Sequence, residues 1–239
     1  MKHLNSYITE YIVKKKLDKP INSENHYEYF PETKEELSDN IKELFDKGET
    51  NLNCIDTSAI TDMSKLFLHI SNTRYTNFDV SEWNVSNVTN MSHIFYDCNN
   101  FDCDLSSWDV NKVKNMSHMF YSCKNFTGKG IEYWDVGNVN VFTSMFDNCI
   151  NLTDIDLSNW DVINGEYFQS MFYKCKNFIG KGLDKWDVSK VKDMSFMFDD
   201  CKKFKGEGLE NWDVSNVKDM HYMFNGCISL KNKPAWYKE

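Results

Sequence analysis

Six cysteines recur in one phase: Cys98, Cys123, Cys149, Cys175, Cys201 and Cys227, at steps of 25 or 26 residues. Three chemistries use cysteines in number: disulfide formation, zinc binding and simple core packing. A zinc site needs four ligands around a point. A disulfide needs Cβ vectors that converge. Residues that fall at one position of successive repeats form a column and meet neither need, so these cysteines read as reduced, buried, small hydrophobes. The remaining pair, Cys54 and Cys103, is out of phase. His93 and His118 share another phase and stack on an outer surface. A metal pair is the sharper reading of them and solvated side chains the plainer one. No Ser-His-Asp order, phosphate loop or metalloprotease motif is present. Metal and cofactor are therefore not expected, nor is catalysis, because regular repeats offer no cleft for an acid–base pair.

The column of cysteines belongs to a larger repeat, whose ruler is tryptophan: Trp83, Trp108, Trp134, Trp160, Trp186 and Trp212. With each Trp as position zero, Val stands at +2 in all six units (Val85 to Val214). A large apolar residue stands at −3 (Val80 to Leu209), Phe at +12 (Phe95 to Phe224) and Cys at +15. Four residue types in phase over six units identify a repeat array. A degenerate unit precedes them, in which Ile55 replaces the Trp and Ile70 the Cys.

The spacing within a unit predicts its shape. Apolar residues at −3, 0 and +2 follow the L-x-x-L-x-L pattern of a leucine-rich-repeat strand. Positions +5, +8, +11, +12 and +15 advance mostly by three, which predicts one face of a short helix. Asn90, Asn115, Asp193 and Asp219 at +7 are suited to cap it. Glycines at 128, 130, 180, 182, 206 and 208 turn the chain back. The fold class expected is an α/β solenoid: a leucine-rich-repeat-like right-handed coil of short parallel strands and short helices behind an α-helical N-terminal cap. Neighbouring coils supply most of its stability.

The run from Trp186 to Phe204, WDVSKVKDMSFMFDDCKKF, resembles the hallmark of the BspA-type leucine-rich-repeat surface proteins, in the variant known as the mycoplasma lipoprotein repeat. The resemblance covers residues 51–230. It implies the repeat fold and an adhesin or interaction role, and it brings no catalytic residues. Local departures are Phe142 and Phe168 in place of Met at +8, and Gly137 and Ile163 in place of Ser at +3.

Four segments follow. Residues 1–31 form an amphipathic helix over 3–17 and a linker after Pro20. Residues 32–50 form a helical cap, with a Thr33–Glu36 capping box before Leu37, Ile41, Leu44 and Phe45 and with Gly48 as stop. Residues 51–230 form the repeats, one degenerate and six regular. Residues 231–239 form a C-terminal end cap. The first helix carries Leu4, Tyr7, Ile8, Tyr11 and Ile12 on one face. It either packs on the cap, docks the chain onto a larger assembly, or lies on a membrane surface. It also resembles leader helices of gut Bacteroidota phage proteins, which implies a virion component.

Net charge is −9, which argues against nucleic acid as partner. Residues 1–19 carry five lysines against two acids, so a basic element precedes an acidic body. No long apolar run predicts a membrane span and no secretory signal is visible, which predicts a cytoplasmic or virion-associated protein.

Two positions flank the inward Trp, and the alternation of a strand turns both outward. Position +1 holds Asp56, Asp109, Asp135, Asp161, Asp187 and Asp213, with Asn84 interrupting. Carboxylates about 5 Å apart repel by roughly 1 kcal/mol in water, so something must compensate: hydrogen bonds to the next coil's backbone, a cation or a basic partner. Position −1 holds Glu82, Ser107, Tyr133, Asn159, Lys185 and Asn211, which differ while the frame stays fixed. A rigid frame carrying varied side chains suits recognition. The sequence therefore predicts a protein partner held on the concave face by Glu82, Tyr133, Asn159, Lys185, Asn211 and the Asp109–Asp213 column. The second reading is a structural or decoration component of a virion or other particle, docked through its first helix.

Overall fold

The computed structural model describes residues 27–68 and 77–238. The helix expected over 3–17, with Leu4, Tyr7, Ile8, Tyr11 and Ile12, lies outside the described residues, as does Ile70.

Helix α1 spans Lys34–Asp46. The Thr33 hydroxyl accepts from the Glu36 N–H at 3.2 Å, and the Glu36 carboxylate accepts from the Thr33 N–H at 3.3 Å, so both ends of a capping box are closed. Leu37, Ile41, Leu44 and Phe45 recur at helical spacing and are buried. Gly48, at φ +83°, takes the left-handed conformation that stops the helix, and the Glu49 N–H reaches back to the Leu44 carbonyl at 2.9 Å.

Beyond α1 the chain repeats itself. Parallel bridges link Asp62, Asn90, Asn115, Val141, Tyr167, Asp193 and Asp219 in succession, so position +7 of each unit pairs with +7 of the next. Among the described residues no extended strand is formed. The stretch from −3 to zero, expected as a strand, is instead a tight turn. The Trp N–H bonds the −3 carbonyl of its own unit, and in three units the turn is a 3₁₀ helix: Ile131–Tyr133, Leu183–Lys185 and Leu209–Asn211.

The stretch from +5 to +15, expected as a short helix, differs as well. Its N–H groups alternate. Those at +11, +13 and +15 close three-residue turns within the unit: Ile94 to Met91, Tyr96 to His93, Cys98 to Phe95. Those at +8, +10, +12 and +14 donate to the next unit: Met91 to Asn115, His93 to Ser117, Phe95 to Met119, Asp97 to Tyr121, at 2.7–3.0 Å. An α-helix cannot share its N–H groups this way. Left-handed residues at +10 and +14, among them His93, Ser122, Ser144 and Phe196, also break it. A row of turns and one helical face both advance by about three residues, which is why the pattern suggested a helix.

Packing runs along the row. The +12 rings stack from Phe67 to Phe224 at centroid spacings of 5.4–5.9 Å. Phe101, Phe126, Phe178 and Phe204 at +18 lie against the +12 ring of their own unit at 4.0–4.2 Å. Each Trp Nε1–H donates back to the −3 carbonyl of the preceding unit, as Trp160 does to Ile131 at 2.9 Å. Each Cys from 123 to 227 points its thiol at the preceding +12 carbonyl, as Cys175 does to Phe146 at 2.8 Å. None of the eight cysteines is in a disulfide, and burial pushes the in-phase thiols upward, Cys98 to about 12. The core is one cluster from Leu37 to Cys227. Close approach explains Gly182: at φ +87° a Cβ there would sit 2.2 Å from the Ser158 backbone nitrogen.

Residues 231–238 hold a seventh indole. Trp236 lies 24 residues past Trp212, stacks on it at 6.3 Å and donates to the Leu209 carbonyl at 2.8 Å. The end-cap segment thus continues the tryptophan ladder.

Candidate functional site

The turn from +2 to +5 fixes the acidic column. In every unit the +5 N–H bonds the +2 carbonyl, as Val191 does to Val188 at 2.9 Å. The +1 oxygen accepts from the +3 N–H inside that turn: Asn111 to Asp109, Gly137 to Asp135, Ile163 to Asp161, Ser189 to Asp187, Ser215 to Asp213, at 3.0–3.3 Å. Of the compensations left open for the column, a bond to the next coil's backbone is not the one made; the bond is made two residues on, in the same unit, because an Asp side chain reaches its own turn first. Hydrogen bonds from Ser189 hold the Asp187 carboxyl below the usual range against repulsion from Asp213, and Ser215 does the same for Asp213. Asp109 is half-buried and Asp135, Asp161, Asp187 and Asp213 are exposed.

Contact between units falls to position +4, which the sequence reading passed over. Asn87, Asn138, Asn164 and Asn216 donate to the +3 carbonyl of the preceding unit at 2.7–2.9 Å. Where Lys replaces Asn, Lys112 and Lys190 reach the preceding Asn oxygen at 2.8 Å. The signal was an Asn or Lys at +4 in each of the six regular units. These ammonium groups sit beside the acidic column, and Lys190 helps hold Asp187 ionised.

Position −1 ends the tight turn before each Trp. Glu82, Lys185 and Asn211 are exposed; Tyr133 and Asn159 are half-buried. Lys185 pairs with Asp184 at 2.8 Å. Asn159 reaches the Glu132 carbonyl at 3.5 Å, and the Ser107 hydroxyl bonds the Ser81 carbonyl. Near the first units Tyr27 joins this side. Burial, then the charges of Asp56 and Glu82, push its phenol upward, and Tyr27, Glu82, Asn84, Ser107 and Asp109 line a groove of about 470 Å³.

The turns from +9 to +14 make a separate surface. His93 and His118 stack at 4.4 Å and 11°, and Tyr96 and Tyr121 stack beside them at 4.5 Å. The Nδ1 atoms of both histidines are buried without a hydrogen-bond partner among the described residues. Burial and then the neighbouring His93 push His118 down to about 4, so it is neutral at pH 7. Burial drives the Asp147 carboxyl up to about 7. Among the described residues no three His, Cys, Asp or Glu side chains gather as a metal site, and no helix is long and apolar enough to cross a membrane.

No curated protein and no solved structure matches the chain. Residues 38–152, 125–182 and 174–237 match, in overlapping stretches, the model of a repeat family described as Mycoplasma protein of unknown function, DUF285, and the chain belongs to that family.

Proposed function

We propose that the chain is a non-catalytic interaction protein of the BspA-like kind. On this reading its units wind as a right-handed, leucine-rich-repeat-like solenoid, and a protein partner lies against positions −1 and +1. The coil reading is supported by parallel pairing at +7 through seven successive units. The binding reading rests on one observation: the +1 carboxylates share a single hydrogen-bonded geometry from Asp109 to Asp213, whereas −1 changes from Glu82 to Lys185. A uniform acidic background with a varied row beside it favours a basic partner and distinguishes among such partners.

The test is a partner recovered on the immobilised chain. Tyr133→Ala, Asn159→Ala and Lys185→Ala together should abolish its retention, and His93→Ala, His118→Ala and Lys192→Ala together should not. Retention should weaken as salt rises, because exposed charges are screened within about 10 Å at 0.1 M. The opposite pattern, with both variants folded, overturns the site.

A further inference from the structure

Two adjacent units, those of Trp134 and Trp160, depart together from the rest of the row at +3, +7 and +8. Inside, the departures compensate one another. Phe142 and Phe168 replace Met at +8 and pack edge to face at 5.1 Å. Gly165 replaces Val at +5, where a Cβ would lie 2.5 Å from the Phe168 ring. Outside, they do not. At +7 the five other units hold Asp or Asn, whose side chain accepts from the +9 N–H at 2.8–3.1 Å: Asp62, Asn90, Asn115, Asp193 and Asp219. Val141 and Tyr167 have no acceptor for that bond. At +3, where the other units hold Ser or Asn, stand Gly137 and Ile163. Ile163 and Tyr167 are 38% and 41% exposed, and between Phe30 and Tyr222 no other large apolar side chain of the described residues is as exposed. Giving up a turn bond to place apolar groups in water stabilises nothing in the fold, so contact with another molecule is what such a patch serves.

We propose, resting on the reading that a basic partner lies along the +1 column, that Val141, Ile163 and Tyr167 anchor a segment of that partner in which an apolar side chain stands next to a lysine or arginine. The apolar and acidic groups share one stretch of backbone. Val141 pairs with Tyr167 in the parallel bridge, and the Ile163 N–H bonds the Asp161 carboxylate at 3.1 Å. Charge selects the occupant. Gly137 lies between two carboxylates: a Cβ there would sit 3.2 Å from Asp135 Oδ1 and 4.0 Å from Asp161 Oδ2. The space that a side chain fills at +3 of the other units is open to an ammonium or guanidinium, which would meet both acids. The chain's own cations are engaged elsewhere. Lys112 and Lys190 at +4 reach Asn87 and Asn164, not the unit of Trp134. Lys192, 5.8 Å over the Tyr167 ring, is paired with Glu166 at 2.5 Å. An apolar contact bordered by unneutralised acid is the complement of an apolar residue beside a basic one.

The probe is a fluorescein-labelled peptide, GKLKFKG, titrated with the full chain and read by anisotropy. Saturable binding with a Kd below about 1 mM is expected. It should weaken at least tenfold when the peptide's lysines become glutamate and, separately, when its leucine and phenylalanine become serine. On the chain, Ile163→Ser with Tyr167→Asn restores the side chains of the other units. This double variant should also bind at least tenfold more weakly, with its denaturation midpoint unchanged or higher, since the new amide can accept from the Gln169 N–H. Gly137→Ser should weaken binding by filling the space between the carboxylates, and Tyr222→Ser, an exposed ring elsewhere, should change nothing. Four results overturn the inference: no saturable binding at about 1 mM chain, binding indifferent to the double variant, equal binding of the serine peptide, or self-association of the chain that the double variant abolishes, which puts a second copy on the patch. If the variant changed at Tyr133, Asn159 and Lys185 loses the retained partner and the double variant keeps it, the inference fails and the −1 face stands; loss in the double variant alone reverses that outcome.

Discussion

The two ends of the row are finished in different ways. At the front, α1 seals the first unit: Leu37 and Ile41 are wholly buried, Leu44 and Phe45 nearly so, and Phe45 packs on Phe78 at 5.8 Å. At the back, Trp236 repeats the indole contact of every earlier unit but is itself half-exposed, and beside it Val214, Val217 and Met220 are less covered than Val188, Val191 and Met194 one unit earlier. Residue type is the same; position in the row differs. A side chain here is buried by the units on either side, so its contribution to stability is set by how many neighbours it has.

Substitutions along the row can break that comparison. Trp160, 2% exposed between two full units, should show the largest loss: Trp160→Ala is expected to cost about 3–5 kcal/mol, as emptying a core aromatic site does, read from the chemical denaturation midpoint. At the sealed front, Ile41→Ala should cost about 2–4 kcal/mol. A value near zero would show that α1 rests on the row without holding it. At the back, Trp236→Ala removes an indole packed on one side and should cost under about 2 kcal/mol. A loss equal to that of Trp160→Ala would mean that the ends do not differ.

The smallest effect belongs to the middle of the row and concerns pH. Burial raises the Asp147 carboxyl from an ordinary 3.8 to about 7. Between those values the folded chain keeps a proton that the unfolded chain has released, so this group makes stability fall as pH rises through that window. Asp147→Asn should match the parent at pH 4 and exceed it increasingly towards pH 7. Denaturation at both values checks this, and a constant difference would show that the neighbouring units do not enclose the carboxyl.

The inward columns were legible because only burial requires Trp, Val, Phe and Cys to keep one phase for six units. The backbone between them was not. A helix and a row of three-residue turns place apolar residues at the same intervals, and only the direction of alternate N–H groups separates the two. Trp236 escaped notice because it stands 24 residues on and is preceded by Pro234 and Ala235, without the apolar residue that other units carry at −3. For the candidate face, the burial of Trp and Val accounts for exposure at Glu82, Lys185, Asn211 and the Asp135–Asp213 part of the column, whereas Tyr133, Asn159 and Asp109 are half-buried. The bonding of the carboxylates did not follow from it, since an Asp can reach its own turn or the next coil's, and residue type alone leaves both open. Position +4 was equally periodic, but Asn and Lys are ordinary surface residues, and their role emerges only once the preceding carbonyl is seen beside them.

The forward run of hydrogen bonds also gives the molecule an electrical axis. Each peptide group carries a dipole of about 3.5 D, and the N–H groups at +8, +10, +12 and +14 point the same way in unit after unit. Their positive ends gather at Met220 to Gly226. The opposite, carbonyl-rich pole faces α1, where the Lys34 ammonium sits against Asp62 and Ser64. An α-helix builds such a macrodipole from successive turns of one winding; this chain builds it from the bonds between windings. Its electrical length is therefore counted in whole repeats, and gaining or losing one would move the poles apart or together without changing a side chain at either.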